Sequence, residues 1–111
     1  MNMYENLELI LKRAILIDEN SDDQAVADVA SDLGLVYTVL TDQIIGMVAD
    51  EHTEGLVSDL RRAHYWACKH QYSVRNLGPE YPAFAESLRD FREEIDYVRE
   101  SLAGAREHES E

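Results

Sequence analysis

An all-α fold, a small four-helix bundle or related up-down helical domain, is the architecture this 111-residue chain predicts. Apolar residues recur at steps of three and four through four successive segments, the spacing of helices with one buried face. Only short polar or Gly/Pro-bearing stretches separate those segments, so neighbouring helices run antiparallel. The one β-prone run, Leu35 to Thr41, has no second run in the chain to pair with.

The first segment sets Met3, Leu7, Ile10, Leu11, Ala14 and Ile15 on one helical face and is expected to end near Asp18. Ser21 reads as an N-cap, with Gln24 completing a capping box and Asp22 and Asp23 placed at the positive end of the helix dipole. The second helix is expected from about Asp22 to Asp50, on Val26, Val29, Leu33, Val36, Leu40, Ile44 and Met47. Gly34 and Gly46 sit inside it, each costing about 1 kcal/mol against alanine. A kink and the close approach of a neighbouring helix are both open explanations for Gly34.

Thr53 is expected to cap the third helix, from about Glu54 to Asn76. The run Asn76-Leu77-Gly78-Pro79 stops it, and Pro82 suits the first turn of the fourth. The fourth has the most regular seam, Phe84, Leu88, Phe91, Ile95, Val98, Leu102 and Ala105, and its exposed side offers the pairs Arg89–Glu93 and Arg92–Asp96. Either packing within the bundle or a homo-oligomeric contact would bury that seam. The tail from Gly104 to Glu111 is expected to fray. The chain reads as a single domain.

Charge narrows the function. The formal net charge is −13, which excludes plain duplex-DNA binding, since that needs a basic face to displace counterions. No apolar run reaches the ~18–20 residues of a membrane span, and the N-terminus does not read as a signal peptide. With one cysteine and so no internal disulfide, a cytoplasmic, reducing setting is expected.

The charges are also unevenly placed. From Ala14 to Leu60 there is no Lys or Arg against eleven acids, while Arg61 to Arg75 holds four of the ten basic residues and no acid. On a helical wheel Leu56, Leu60, Ala63, Ala67 and Val74 form the core face of the third helix. Arg61, Arg62, Tyr65, Lys69 and Tyr72 collect opposite. Aromatic rings interleaved with cations suit a protein interface, or a nucleotide or single-stranded nucleic acid that stacks and presents phosphate. The plainer alternative packs the tyrosines on a neighbouring helix and pairs the cations with the chain's own acids. A second candidate surface is acidic: Asp18, Glu19, Asp22, Asp23, Asp28, Asp32 and Asp42 could imitate a phosphate backbone for a partner with a basic surface.

Enzymatic readings fare worse. His64 and Cys68 lie one turn apart, but a metal site wants three or four ligands. His64 is therefore expected at the core boundary and Cys68 half-buried. No Glu-x-x-His pair supports a di-iron bundle. Glu93, Glu94 and Asp96 only loosely echo a magnesium-dependent pyrophosphohydrolase, and a helical ribonuclease would need a histidine where Tyr81 stands. A metal-dependent helical hydrolase is thus the minor alternative. The expected function is a non-enzymatic acidic binding protein, a regulator or inhibitor, with no cofactor and no metal.

Overall fold

The structure, a computed structural model, describes residues 3–17, 23–44, 50–77 and 82–110. These form α1 (Met3–Ile15), α2 (Asp23–Val39), a π-helical segment (Leu40–Ile44), α3 (Glu51–Leu77) and α4 (Pro82–Ser110). There is no strand among the described residues. The protein is an all-α four-helix bundle.

Each helix packs on two others: α3 on α4 and α2, and α1 on α2 and α4. Cross-helix contacts fix the directions. Asp59 of α3 meets Ser101 of α4, while His52, earlier on α3, lies beside Gly104, later on α4. Glu8 pairs with Arg106 and Ile17 with Arg92, so α1 also runs against α4. The result is an up-down-up-down bundle measuring 47 × 23 × 21 Å.

The core follows the helical period closely. Val26, Val29, Leu33, Val36 and Leu40 are buried on the α2 side, and Leu88, Phe91, Ile95, Val98, Leu102 and Ala105 on α4. The α4 seam is therefore used inside the chain. Phe84, Val74, Ile44 and Met47, expected on the same faces, lie outside the residues whose side chains are described. Ser21, Gly46 and the acids at 18, 19 and 22 likewise fall outside the described residues.

Several expectations need correction. In α1, Ile15 is exposed, whereas Tyr4 and Ile17 are buried. The helix ends at Ile15, and a turn closed by Leu16 N–H to Arg13 O and Ile17 N–H to Ala14 O carries Ile17 back onto the core. Arg92 does not pair with Asp96: its Nε donates to the Ile17 carbonyl at 3.0 Å, and its Nη2 donates there too. A carbonyl left over at a helix end is satisfied by a side chain from α4.

The second helix does not run regularly to Asp50. Its α-helical hydrogen bonding gives way to the π-helical segment at Leu40, within the β-branched stretch whose helix propensity is lowest. The third helix begins earlier than expected, because Asp50 caps it. Asp50 Oδ1 accepts from Thr53 N–H at 2.8 Å and its carbonyl accepts from Glu54 N–H at 3.0 Å. Thr53, expected as the cap, is buried in the first turn. The C-terminal segment continues as helix to Ser110 rather than fraying at Gly104, with Ala105 buried and Arg106 tied to Glu8.

Close approach, not a kink, accounts for Gly34. The α-helix passes through it without interruption, and a Cβ there would stand 2.9 Å from His64 Nε2. The missing side chain makes room for the α3 imidazole.

Two stability measurements follow from these contacts. Asp50→Ala should cost about 1 kcal/mol by denaturant unfolding; a neutral result would mean that Asp50 is not the cap. Gly34→Ala should gain about 1 kcal/mol in a His64→Ala background, where only helix propensity acts. It should gain much less, or lose, with His64 present; equal effects in both backgrounds would show that glycine and ring do not interact.

Candidate functional site: the outer face of α3

The inner face of α3 is committed to the core by Thr53, Leu56, Leu60, Ala63, Ala67, His70 and Ser73, all buried. Its two flanks are used as well. One flank places His64 over Gly34 of α2, and the other ties Asp59 to Ser101 of α4. What remains is a strip from Arg61 to Tyr72, rising about 17 Å along the helix.

All five residues that sequence singles out on this strip face solvent: Arg61, Arg62, Tyr65, Lys69 and Tyr72. Tyr65 is 58% exposed and Tyr72 61%, so neither packs on a neighbouring helix. The chain's own acids meet only part of the strip's charge. Arg62 approaches Asp59 only to 3.7 Å, and Arg61 and Lys69 form no ion pair among the described residues. Lys69 instead sets its Nζ 4.6 Å from the centre of the Trp66 ring. That cation–π contact contributes roughly 0.5–1 kcal/mol at an exposed position.

Trp66 was not singled out from sequence, yet it supports the strip. It is half-buried against the core, and Tyr65 meets it edge-on with ring centroids 5.3 Å apart and planes at 73°. One rigid indole thus orients both a tyrosine and a lysine. The signal was present, since Trp66 precedes core residue Ala67 and lies within a turn of Lys69 and Arg62. Composition alone does not say which way a tryptophan leans.

Glu94, which the sequence placed only in a loose acidic echo with Glu93 and Asp96, has a distinctive setting in the fold. Its Oε2 is buried without a hydrogen-bond partner. Burial pushes its carboxyl above the ordinary 4.5, Arg62 opposes that shift, and Asp59, Glu93 and Asp90 add to it. The carboxyl lies where α4 borders the strip, in the field of Arg62.

The acidic surface is less well defined. Asp28 is exposed and accepts from Gln24 at 2.8 Å, Asp42 is exposed in the π-helical segment, and Asp32 is held by Arg13 at 2.8 Å. Asp18, Glu19 and Asp22 lie outside the described residues, as does the side chain of Asp23. An apolar groove between α1 and α2 is lined by Leu9, Ile10, Leu35 and Val39, with the Arg13–Asp32 pair on its border.

His64 stands at the core boundary, as expected, but Cys68 is exposed rather than half-buried. Partial desolvation still pushes its thiol above the ordinary value, and Sγ lies 3.5 Å from His64 Nε2. Among the described residues, no three His, Cys, Asp or Glu side chains gather as a metal cluster. No described helix is long and apolar enough to cross a membrane. The chain matches no protein-family model, no curated protein and no solved structure.

Glu94 makes stability depend on pH. A raised carboxyl pKa means that the folded state keeps its proton longer than the unfolded state. Its contribution is therefore fully present below the ordinary value of 4.5 and is lost as pH rises through the folded-state value. Glu94→Gln stays neutral throughout, so its advantage over the native protein should grow from pH 4 to pH 8 in paired thermal melts. Repulsion among the other acids is common to both proteins and cancels. A constant difference would show that Glu94 ionises freely.

Proposed function

We propose that this chain is a non-catalytic binding protein that regulates or inhibits a protein partner, docking it on the outer face of α3. The observation that carries the reading is the pair Tyr65 and Tyr72, more than half exposed, with Arg61 and Lys69 beside them, for which no ion pair is found among the described residues. Tyr and Arg are enriched where binding energy concentrates at protein interfaces: tyrosine buries much area while losing few rotamers, and arginine adds a planar fork of donors.

The fitting partner surface offers apolar pockets for the two tyrosines and acidic groups around them. On a chain of net charge −13, this strip is where such a surface is attracted while the rest of the molecule repels it. That difference favours one docking orientation. Tyr97 on α4 gives a contrast within the molecule. It is 54% exposed, but Glu93, Glu94 and Glu100 lie within a turn of it. A basic-surfaced partner, or imitation of a phosphate backbone, would depend on acids of which Asp28 and Asp42 are the described, exposed and unbridged members. The exposed thiol of Cys68 suits a reducing, cytoplasmic setting.

A photo-crosslinking amino acid at position 65 or 72, with position 97 as control, tests the reading in extract of the source cells. One discrete protein adduct is expected from the α3 positions and none from 97. Arg61→Glu with Lys69→Glu should weaken the captured complex by about tenfold or more while leaving the melting temperature within a few degrees. Equal labelling at 97 overturns the proposal. Nuclease-sensitive adducts would replace it with single-stranded nucleic-acid binding.

A further inference from the structure

Large aliphatic side chains are left in water on one side of the molecule only. Among the described residues these are Leu9, Ile15, Leu16 and Leu35, all from α1, the turn that closes it, and α2. The large apolar groups that α3 and α4 expose are tyrosines. Leu35 is 66% exposed and Leu9 47%. They line opposite walls of an open groove of about 380 Å³, whose apolar lining Ile10, Val36 and Val39 complete.

Helical period explains how the groove arises. Val26, Val29, Leu33, Val36 and Leu40 already fill the core face of α2. Asp32, Leu35 and Val39 form a further stripe on its flank, and Leu9 and Arg13 stand one turn apart on the facing flank of α1. A helix that stays apolar beyond its core face has a second surface to cover. From Asp32 to Val39 the groove rises about 10 Å, or two turns. Arg13, the cation among its described lining residues, is held by Asp32 at 2.8 Å. Beyond the two ends of the stripe the charge on α2 is negative. Asp28 stands four residues before Asp32 and Asp42 three after Val39, both exposed and in no ion pair among the described residues. From Ala14 to Leu60 the sequence holds no Lys or Arg to offset them.

We propose that this groove docks a cationic amphipathic helix of a partner protein. The helix seats apolar residues spaced by three and four between Leu9 and Leu35, and its Lys or Arg residues meet Asp28 and Asp42. Charge selects that occupant. A second copy of this chain, also at −13, would set the acidic border against its own image. An anionic lipid surface would be repelled in the same way. The groove's own ion pair is already satisfied, so what it offers a ligand is mainly apolar. Burial of the leucines supplies the affinity, while the flanking acids set orientation and speed encounter. This surface is opposite in charge to the α3 strip and does not depend on it.

The probe is a leucine–lysine peptide of about four helical turns with its leucines on one face. It is titrated against the full chain and followed by fluorescence anisotropy and by the methyl resonances of Leu9 and Leu35. One control peptide has the same composition with its leucines scattered around the helix, and another has glutamate for lysine. Expected is saturation at one peptide per chain, with shifts at both leucines and affinity about tenfold or more above either control. Binding should weaken as salt rises. Leu9→Ser with Leu35→Ser, at exposed positions and unchanged net charge, should lower affinity about tenfold with the melting temperature within a few degrees. Asp28→Lys with Asp42→Lys should lower it by a similar factor with both leucines intact. Arg61→Glu with Lys69→Glu, which disrupts the α3 strip, should not weaken it. The proposal is overturned if the scattered peptide binds as tightly, if the serine variant binds unchanged, or if the glutamate peptide is preferred. A dimer in light scattering that the serine variant dissociates would give the groove to a second copy. Co-sedimentation with phosphatidylglycerol vesicles, lost in that variant, would give it to a lipid surface; either result also overturns the proposal.

Discussion

The antiparallel seam between α3 and α4 is the constraint on which the rest of the molecule depends. Along the middle of α4 the buried residues are large, Leu88, Phe91, Ile95, Val98 and Leu102, with the small Ser87 and Ala105 towards its ends. On α3 the middle of the facing stripe is small, with Ala63 and Ala67 fully buried. The register fixed by Asp59 with Ser101 and by His52 beside Gly104 brings Ala67 to about the level of Phe91 and Ala63 to about that of Ile95. Large residues opposite small ones let the helices approach while the interior stays filled. Truncating Phe91 would leave a cavity costing about 3–5 kcal/mol, a large share of the stability of a domain this size.

Committing that stripe of α3 decides what its other sides can do. A helix with three occupied sides leaves one strip free. Here the core takes one side, α2 takes His64, and α4 takes Asp59. Tyr65 and Tyr72 cannot turn inward without removing Ala67 or Ser73 from the interior. Their exposure follows from packing on the opposite side of the same helix. Trp66 mediates between the two, packed against the core with Tyr65 and Lys69 in contact with its ring.

Much of this was legible in the sequence, for a physical reason. Period alone identifies buried faces, so α4 and most of α2 could be read directly, as could the start at Pro82 and, to within one residue, the end of α3. Failures came where chemistry and period disagree. His70 and Thr53 stand in phase with Leu56, Leu60, Ala63 and Ala67, yet their polarity argues against burial; both are buried. Ile15 is apolar and in phase, but the helix ends beneath it. Asp50 was hidden as a cap because Thr53 is an equally good capping residue three positions later. The five strip residues could be placed on one face by spacing. That Arg61 and Lys69 form no ion pair among the described residues depends on which side chains reach across helices, and spacing says nothing about that.

The same cross-helix reach explains where the chain's few cations went. Ten basic residues face twenty-three acids, so random placement would pair nearly every one. Arg13 clips α1 to α2, Arg106 clips α4 to α1, and Arg92 is drawn off carboxylates altogether to satisfy the Ile17 carbonyl. Exposed ion pairs of this kind contribute at most about 1 kcal/mol each, so they act mainly in fixing which helices are neighbours. Lys69 is different, because the nearest group it meets is an indole face rather than an acid. Cations needed only for solubility or self-repulsion would be expected among the acids of α2, where there are none between Ala14 and Leu60. Three of the ten, Arg61, Arg62 and Lys69, lie instead on the side of α3 that packing leaves open, beside two exposed tyrosines, the placement that supports the proposed docking face.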